Sequence, residues 1–493
     1  MQKTSLIRKI LYLGLVLTLA SVLLGINLNK EFIGHHDWNS VVYSLIAKNY
    51  IRYGYISTKL GQVRNPEITQ PANFNFLIHY PPLLPILISL GFKVFGPVEF
   101  AARLIPVAAS LLLLSMIFLI GISLVSVSVG FLAALFVVLT PLFIYFGKLP
   151  VHDTIVPAFG VTAFYGYIQY MKTRKKIYYM LILFGVVVGG LVNWSNYYVV
   201  LAIIVHFLVW DRNKSVRYPI IVLVPICIFL FSLQLLHLKI LTGNFHLFDF
   251  IGIFLRRANI VANDPIYSFS LSTYFYKESE YLKIYMTRTL LVLSTVWLIT
   301  SFFGKKSSSE KRTNFYLYAL LIYGLVQLVV FTNLSYIHDY MIYYLLPYIV
   351  LSGALGFLFI LKKLPFKNLA YMYVVIVVLT VGMERKSFAK ALLLSDMNKK
   401  GKDIAVFIKN HTDVGENSYI TSISYKEFYE VFIAFYSERG VGYGEALTPT
   451  ILQNYQFIIR PKAHDALLSS DKFFLDTHLT RFENEEYIWY TKK

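Results

Sequence analysis

The sequence predicts a mainly α-helical bundle that crosses a membrane about eleven times and ends in a small extracytoplasmic α/β domain. Three observations predict it. Apolar residues make up 57% of the 493 and charged residues only 15%, against roughly 45–50% and 25% in soluble domains. Basic residues punctuate long apolar runs, the pattern of membrane topology rather than of nucleic-acid binding. The last stretch abandons that pattern. From Glu384 to Lys493 fifteen acids balance fifteen bases, so the whole +19 net charge lies in the first 383 residues. A disordered chain, a coiled coil and an ordinary soluble enzyme are excluded. The single Cys227 excludes an intramolecular disulfide and a thiolate metal cluster.

A crossing needs about 20 apolar residues. Spans are expected near 10–27, 100–120, 128–146, 154–171, 177–193, 196–210, 218–239, 286–303, 314–332, 341–360 and 369–383. The run from Leu104 to Phe146 would be about 60 Å long as one helix, twice a ~30 Å hydrocarbon core. It therefore makes two crossings, with a tight turn near 121–128.

Lysine and arginine orient the chain. Segments 1–9, 171–176, 211–217, 304–312 and 361–367 hold 17 bases and are expected on one side. The short opposite loops 145–153 and 332–340 hold one, Lys148. The positive-inside rule places the N-terminus in the cytoplasm, and an odd number of spans sends the tail outside. The first apolar segment follows basic residues without a clear small-residue cleavage site, so a retained helix is expected.

Two outer loops are long, about 28–99 and 240–285. Trp38, Val41, Val42, Leu45, Ile46 and Tyr50 recur at helical spacing, which predicts a helix lying along the membrane interface. A second is expected over 81–95. In the tail, 402–409 and 427–436 read as helices, and 418–422, 455–460 and 487–490 as strands. These make the small α/β domain of 398–493, expected to select the acceptor or stabilise the protein. No repeat, P-loop or GxGxxG gives a basis for nucleotide binding.

Few acids lie in the membrane part. Asp211 and Glu310 fall on the cytoplasmic side, whereas Asp37, Asp153 and Asp339 stand at outer helix ends, each after a histidine: His36, His152 and His338. A carboxylate at that level is costly and is usually paired or functional. Each also suits a plain structural role, since Asp37 can N-cap the helix from Trp38 and Asp153 the fourth span. A further pair, His464-Asp465, in the tail shows that the dipeptide alone carries little. His79-Tyr80-Pro81-Pro82 is a rigid approach to a helix.

In order along residues 1–350, the chain carries Gly34-His35-His36-Asp37-Trp38-Asn39, Tyr53-Gly54-Tyr55, and His79-Tyr80-Pro81-Pro82-Leu83-Leu84. Phe95-Gly96-Pro97-Val98-Glu99-Phe100-Ala101-Ala102-Arg103-Leu104 follows, then Pro150-Val151-His152-Asp153 and His338-Asp339-Tyr340 leading into Tyr344-Leu345-Leu346-Pro347. This ordered set resembles the GT-C superfamily of membrane glycosyltransferases, in the bacterial branch related to protein O-mannosyltransferases and aminoarabinose transferases. Some relatives carry Glu-Lys before the double proline. Here His79-Tyr80 stands there, so a phosphate-binding lysine is absent.

The resemblance implies a GT-C bundle that moves a sugar from a polyprenyl-phosphate donor to a lipid, glycan or protein acceptor outside the cytoplasm, in the plasma or inner membrane. Asp37 resembles the family's catalytic acid by position, and Asp153 is expected to orient the acceptor or support it. Substrate contacts are expected from His36, His79, Tyr80, His338, Asp339 and Tyr340. Donor phosphate needs cations at the interface: Arg256 and Arg257 supply them, with Lys283 and Arg288 nearby in sequence. Lipid headgroups are the plain alternative for these bases. No cofactor is expected. A divalent metal held by histidines 36, 79, 152 and 338 with the carboxylates is the alternative, since many relatives in this branch work without one. Three other functions remain open: a flippase for lipid-linked sugars, a polysaccharide ligase or polymerase using a lipid pyrophosphate, and a non-enzymatic surface-assembly scaffold that uses the soluble tail. Absence of a repeat disfavours the first, and the Asp37 loop disfavours the second.

Overall fold

Hydroxyl caps, prolines and close glycine contacts decide where the apolar runs break into helices. The computed structural model describes every residue except 1, 67, 211–216, 262–268, 304–305, 366, 414–415, 422, 445–453, 463–474, 476–478 and 492–493. The basic segments 211–216 and 304–305 and the pair His464-Asp465 lie outside the described residues. In chain order the helices begin with α1 (Gln2–Gly25), α2 (Asp37–Tyr53), α3 (Leu83–Phe95), α4 (Glu99–Leu124), α5 (Val127–Leu139), α6 (Pro141–Phe146) and α7 (His152–Thr173). Next come α8 (Lys176–Val192), α9 (Tyr197–Val209), α10 (Arg217–Ile221), α11 (Leu223–Thr242), α12 (Leu247–Arg257), α13 (Leu271–Tyr285) and α14 (Arg288–Phe302). The last are α15 (Ser308–Val330), α16 (Thr332–Ile337), α17 (Leu346–Lys363), α18 (Lys367–Leu394), α19 (Lys399–His411) and α20 (Ile423–Ser437).

The chain forms two compact units, Met1–Leu28 with Ile78–Leu84 and Arg103–Leu393, and Asn29–Leu77 with Pro85–Ala102 and Leu394–Lys493. Among the described residues six helices are long and apolar enough to cross a membrane, or up to seven if the sharply bent pair α13 and α14 counts as one crossing. Leu83–Phe95, Val127–Leu139, Lys176–Val192 and Trp194–Val209 are shorter apolar helices. The chain is a multi-pass membrane protein.

In the first unit, the expected turn between the second and third apolar runs falls at Val125–Ser126. Ser126 Oγ accepts from the Val129 amide at 3.3 Å and caps α5. Beneath this turn the backbones of α4 and α5 touch: a Cβ on Gly121 would meet Gly130 Cα at 2.6 Å. The span expected over 128–146 is broken instead. Thr140 Oγ1 accepts from the Phe143 amide, Pro141 opens α6, and the run divides into a long and a short helix. Elsewhere α14 and α17 pack closely enough that a Cβ on Gly356 would lie 2.0 Å from the Leu293 carbonyl oxygen. Ser294 and Ser352 share a hydroxyl hydrogen bond of 2.6 Å across the same seam.

The second unit combines the first outer loop with the tail. Its strands are β1 (Asn417–Ile420), β2 (Gly440–Tyr443), β3 (Phe457–Pro461), β4 (Thr480–Glu483) and β5 (Tyr487–Thr491). They form one sheet in the order β2-β1-β3-β5-β4. β1 runs parallel to β2 and β3, with α20 as the β1–β2 crossover, and β5 is antiparallel to β3 and β4. Ile404 and Ile408 of α19 and Ile433 of α20 bury against Ile420, Val441 and Ile459 on one face. Tyr419, Ile458, Leu475 and Tyr490 fill the other. Three expected strands and both expected helices are present. β2 and β4 were not anticipated.

Most residues of α2 from Asp37 to Tyr50 are buried. Ser40, Ser44 and Ala47 set small side chains on the side away from the apolar stripe. They let neighbours close on a second side, and α20 packs on the helix. Lys48 of α2 donates to the Phe435 carbonyl of α20 at 2.7 Å and stands 4.0 Å from Glu438. Burial pushes its amine down to about 8 from the usual 10.5, against the opposing pull of Glu438. The folded state therefore binds fewer protons than the unfolded state between those values, so stability rises with pH across that window and is lower below about 8. Thermal unfolding at pH 8 and pH 10 should show this rise in the wild type and a smaller one in Lys48→Met. Equal rises in both proteins exclude Lys48 as the source.

Candidate active site

Asp153 opens α7 but caps nothing: Val151 holds the N-cap position, and the carboxylate lies in the first turn. Its Oδ1 accepts from Tyr344 Oη at 2.8 Å and from Asn193 Nδ2 at 3.1 Å. With the Tyr344 proton committed to Asp153, Ser195 Oγ donates to Tyr344 Oη over 2.6 Å. All four side chains are buried. The polar run Asn193-Trp194-Ser195-Asn196 separates α8 from α9, and Asn193 Oδ1 closes its single 3-10 turn by accepting from the Ser195 amide. Tyr344 comes from a 3-10 segment, Asp339–Leu345, that leads into α17.

Arg257 ends α12 and faces the same region. Its guanidinium donates to Tyr80 Oη at 2.8 Å, and it lies over the Tyr80 ring at 5.1 Å and the Trp194 ring at 5.7 Å. Tyr80 in turn stacks on His152 at 4.5 Å. Asp153 and Arg257 lie in each other's electrostatic field, as do Tyr80 and Tyr198. Neighbouring Arg256 points the other way and is exposed, because residues one apart on a helix face different directions. Lys283 pairs with Glu280 at 2.7 Å.

Asp339 is buried and accepts from Tyr285 Oη of α13. Tyr340 is buried against Phe146, at 5.8 Å between rings, and His338 lies 5.2 Å from Tyr340. His79 belongs to the short segment Ile78–Leu84 of this unit.

Asp37 and His36 belong to the second unit. Asp37 is 4% exposed and is the first residue of α2 rather than its N-cap. The N-cap is His36, at φ 58° in the left-handed region, with no side-chain cap bond. Asp37 Oδ2 instead accepts from the amide of Gly34, three residues back, at 2.7 Å. This carboxylate therefore folds its own loop. His35 and His36 place their rings 4.1 Å apart.

Of the expected residues, Tyr80, Asp153 and Arg257 are thus brought together with His152. His338, Asp339 and Tyr340 cluster around Tyr285 and Phe146, and Arg256 stands apart. Asn193, Ser195 and Trp194 were not anticipated. Their signal was a polar tetrad interrupting two apolar runs at the level of Asp153. Tyr344 was quoted for its motif and not as a partner of Asp153. The arrangement offers a buried carboxylate with two fixed donors beside a guanidinium held flat by aromatic rings. That combination suits an anionic leaving group next to a group needing orientation.

The chain has the GT-C glycosyltransferase fold. Residues 79–237 match the protein family described as dolichyl-phosphate-mannose-protein mannosyltransferase. No curated protein matches the chain. Among solved structures, ArnT from Cupriavidus metallidurans bound to undecaprenyl phosphate is similar over 98% of both chains, at TM-score 0.63 and 12% identity. The oligosaccharyltransferase of Archaeoglobus fulgidus in its apo form is similar over 92% of this chain and 69% of its own, at TM-score 0.64 and 12% identity. The mycobacterial arabinofuranosyltransferase AftD is similar over 98% of this chain and 40% of its own, at TM-score 0.55 and 12% identity.

Proposed function

We propose that this chain of the GT-C fold is a membrane glycosyltransferase that moves a sugar from a polyprenyl-phosphate donor to an acceptor hydroxyl at the extracytoplasmic face. The observation that carries the reading is Arg257. In a chain with Tyr80 where some relatives have a lysine, a guanidinium from a distant helix bonds to that tyrosine beside Asp153. The cation is retained, on another element. The donor class is also supported by the solved ArnT complex, whose bound molecule is undecaprenyl phosphate.

The reaction is a single displacement with inversion. The acceptor oxygen attacks the anomeric carbon and the bond to phosphate breaks. The acceptor proton passes to Asp37, assigned by its place in the ordered set of family motifs, and polyprenyl phosphate leaves against Arg257. Asp153, held by Tyr344 and Asn193, orients the acceptor. The basic asymmetry between loops supports a cytoplasmic N-terminus and a tail outside.

Purified protein in lipid vesicles, given a polyprenyl-phosphate sugar and acceptor extracts from a deletion strain, should release polyprenyl phosphate as the sugar appears on an acceptor. Movement of the intact donor across the vesicle without release overturns the reading in favour of a flippase. In intact cells a membrane-impermeant thiol reagent should label cysteines placed in 400–410 and not one placed at Ser307. Labelling at Ser307 overturns the orientation.

A further inference from the structure

The loop that carries Asp37 is built by the far end of the chain. Residue Gly34 has both of its backbone groups occupied. Its amide donates to Asp37 Oδ2, and its carbonyl accepts from Asn398 Nδ2 at 2.8 Å. Asn398 also donates its own amide to the Ile33 carbonyl at 2.9 Å. One residue thus grips two successive peptide groups. Ser395 adds two bonds: its Oγ accepts from the His35 amide at 3.0 Å, and its carbonyl accepts from the Lys30 side-chain Nζ at 2.7 Å. Lys402 pairs with Glu31.

A second hold comes from α20. Tyr436 Oη accepts from the Phe32 amide at 2.7 Å and donates to Glu99 Oε1 at 2.6 Å, while Phe435 packs its ring on Phe32 at 5.8 Å. Every residue from Lys30 to His35 is therefore tied directly to 395–436. The loop needs such holding. His36 sits in the left-handed region without a cap bond, a conformation that a side chain larger than glycine adopts only when its surroundings impose it.

We propose that Ser395, Asn398 and Tyr436 are positioning residues. They form a clamp that fixes the Gly34–Asp37 loop so that the Asp37 carboxylate is aimed before substrate arrives. The tail then acts on the chemical step and not only on acceptor choice. This rests on the assignment of Asp37 as the base. A base displaced by about 1 Å loses on the order of 10²-fold in rate. The side-chain bonds of Asn398 and Ser395 are removable one at a time without touching the core of the sheet.

The test uses the full-length protein in lipid nanodiscs, with Asn398→Asp, Asn398→Ala, Ser395→Ala and Ser395→Thr. Amide hydrogen exchange over 30–37 should accelerate in Asn398→Ala and Ser395→Ala and stay near wild type in Ser395→Thr, which keeps the hydroxyl. In turnover, Asn398→Ala and Asn398→Asp should lower kcat by about 10- to 100-fold, with binding of a polyprenyl phosphate unchanged. In an Asp37→Asn background, Asn398→Ala should cost nothing further, since there is no base left to aim. Wild-type exchange over 30–37 in Asn398→Ala overturns the clamp. So does an unchanged kcat, or an equal loss in both backgrounds. If the wild type transfers no sugar the proposed function fails instead, and the exchange result still decides whether the clamp exists.

Discussion

Asp37→Asn should fold, insert and bind the lipid donor, and lose transfer by roughly 10²-fold or more. The substitution is nearly isosteric. An asparagine carbonyl oxygen can still accept from the Gly34 amide, so the loop bond at 2.7 Å survives. What disappears is the carboxylate proposed as the base. The structure removes the older alternative, in which Asp37 is only a helix cap, because His36 occupies the cap position. The structural role on view is the bond to Gly34, and Asp37→Ala tests it. Loss of that bond costs about 1 kcal/mol of stability. Initial rates at saturating donor, with unfolding midpoints measured on the same preparations, separate the two. Near-normal turnover in Asp37→Asn refutes the assignment.

Arg257→Met should raise the donor KM roughly 10- to 100-fold, the equivalent of one charge-assisted hydrogen-bond set worth about 1.5–3 kcal/mol. Methionine keeps the length that fills the space beside Trp194 and removes the charge. Arg257→Lys should recover only part of the loss. A lysine supplies a point charge but neither the flat fork that bonds Tyr80 nor the stack on both rings. Arg256→Met, one residue away and exposed, should change KM by less than about twofold. Equal effects at the two positions identify the pair as headgroup contacts and remove Arg257 from the site.

Arg256 and Arg257 also show where sequence stops being informative. Both follow an apolar run, both are basic, and nothing in the spacing selects one. Only the place of α12 against Tyr80 and Trp194 does. The apolar runs themselves were legible, because a membrane crossing is a matter of length and composition. Their internal breaks were less so. A serine cap at Ser126 and a threonine-proline pair at Thr140-Pro141 are short signals inside long ones. The periodicity of α2 marks one apolar face, and a hydrophobic stripe does not report that small serines on the other side admit a neighbour. In the tail, β2 escaped notice because Gly440 and Gly442 weaken any strand pattern. β4 escaped because it is a mostly exposed edge whose residues carry no alternation. At the site, the acids were found because acids are rare in apolar surroundings. Asn193, Ser195 and Tyr344 were missed because neutral polar groups are common, and only a shared carboxylate shows what they do.

The bonds from Lys30, Phe32, Gly34 and His35 to residues 395–436 span 360 or more positions of sequence. A ribosome adding about 5–20 residues per second needs roughly 20–70 s to go from one end of such a bond to the other. Throughout that interval the membrane helices that follow Lys30 in sequence are being made while the Asp37 loop lacks these partners. The loop that carries Asp37 therefore cannot be closed by these bonds until residues 395–436 have been synthesised.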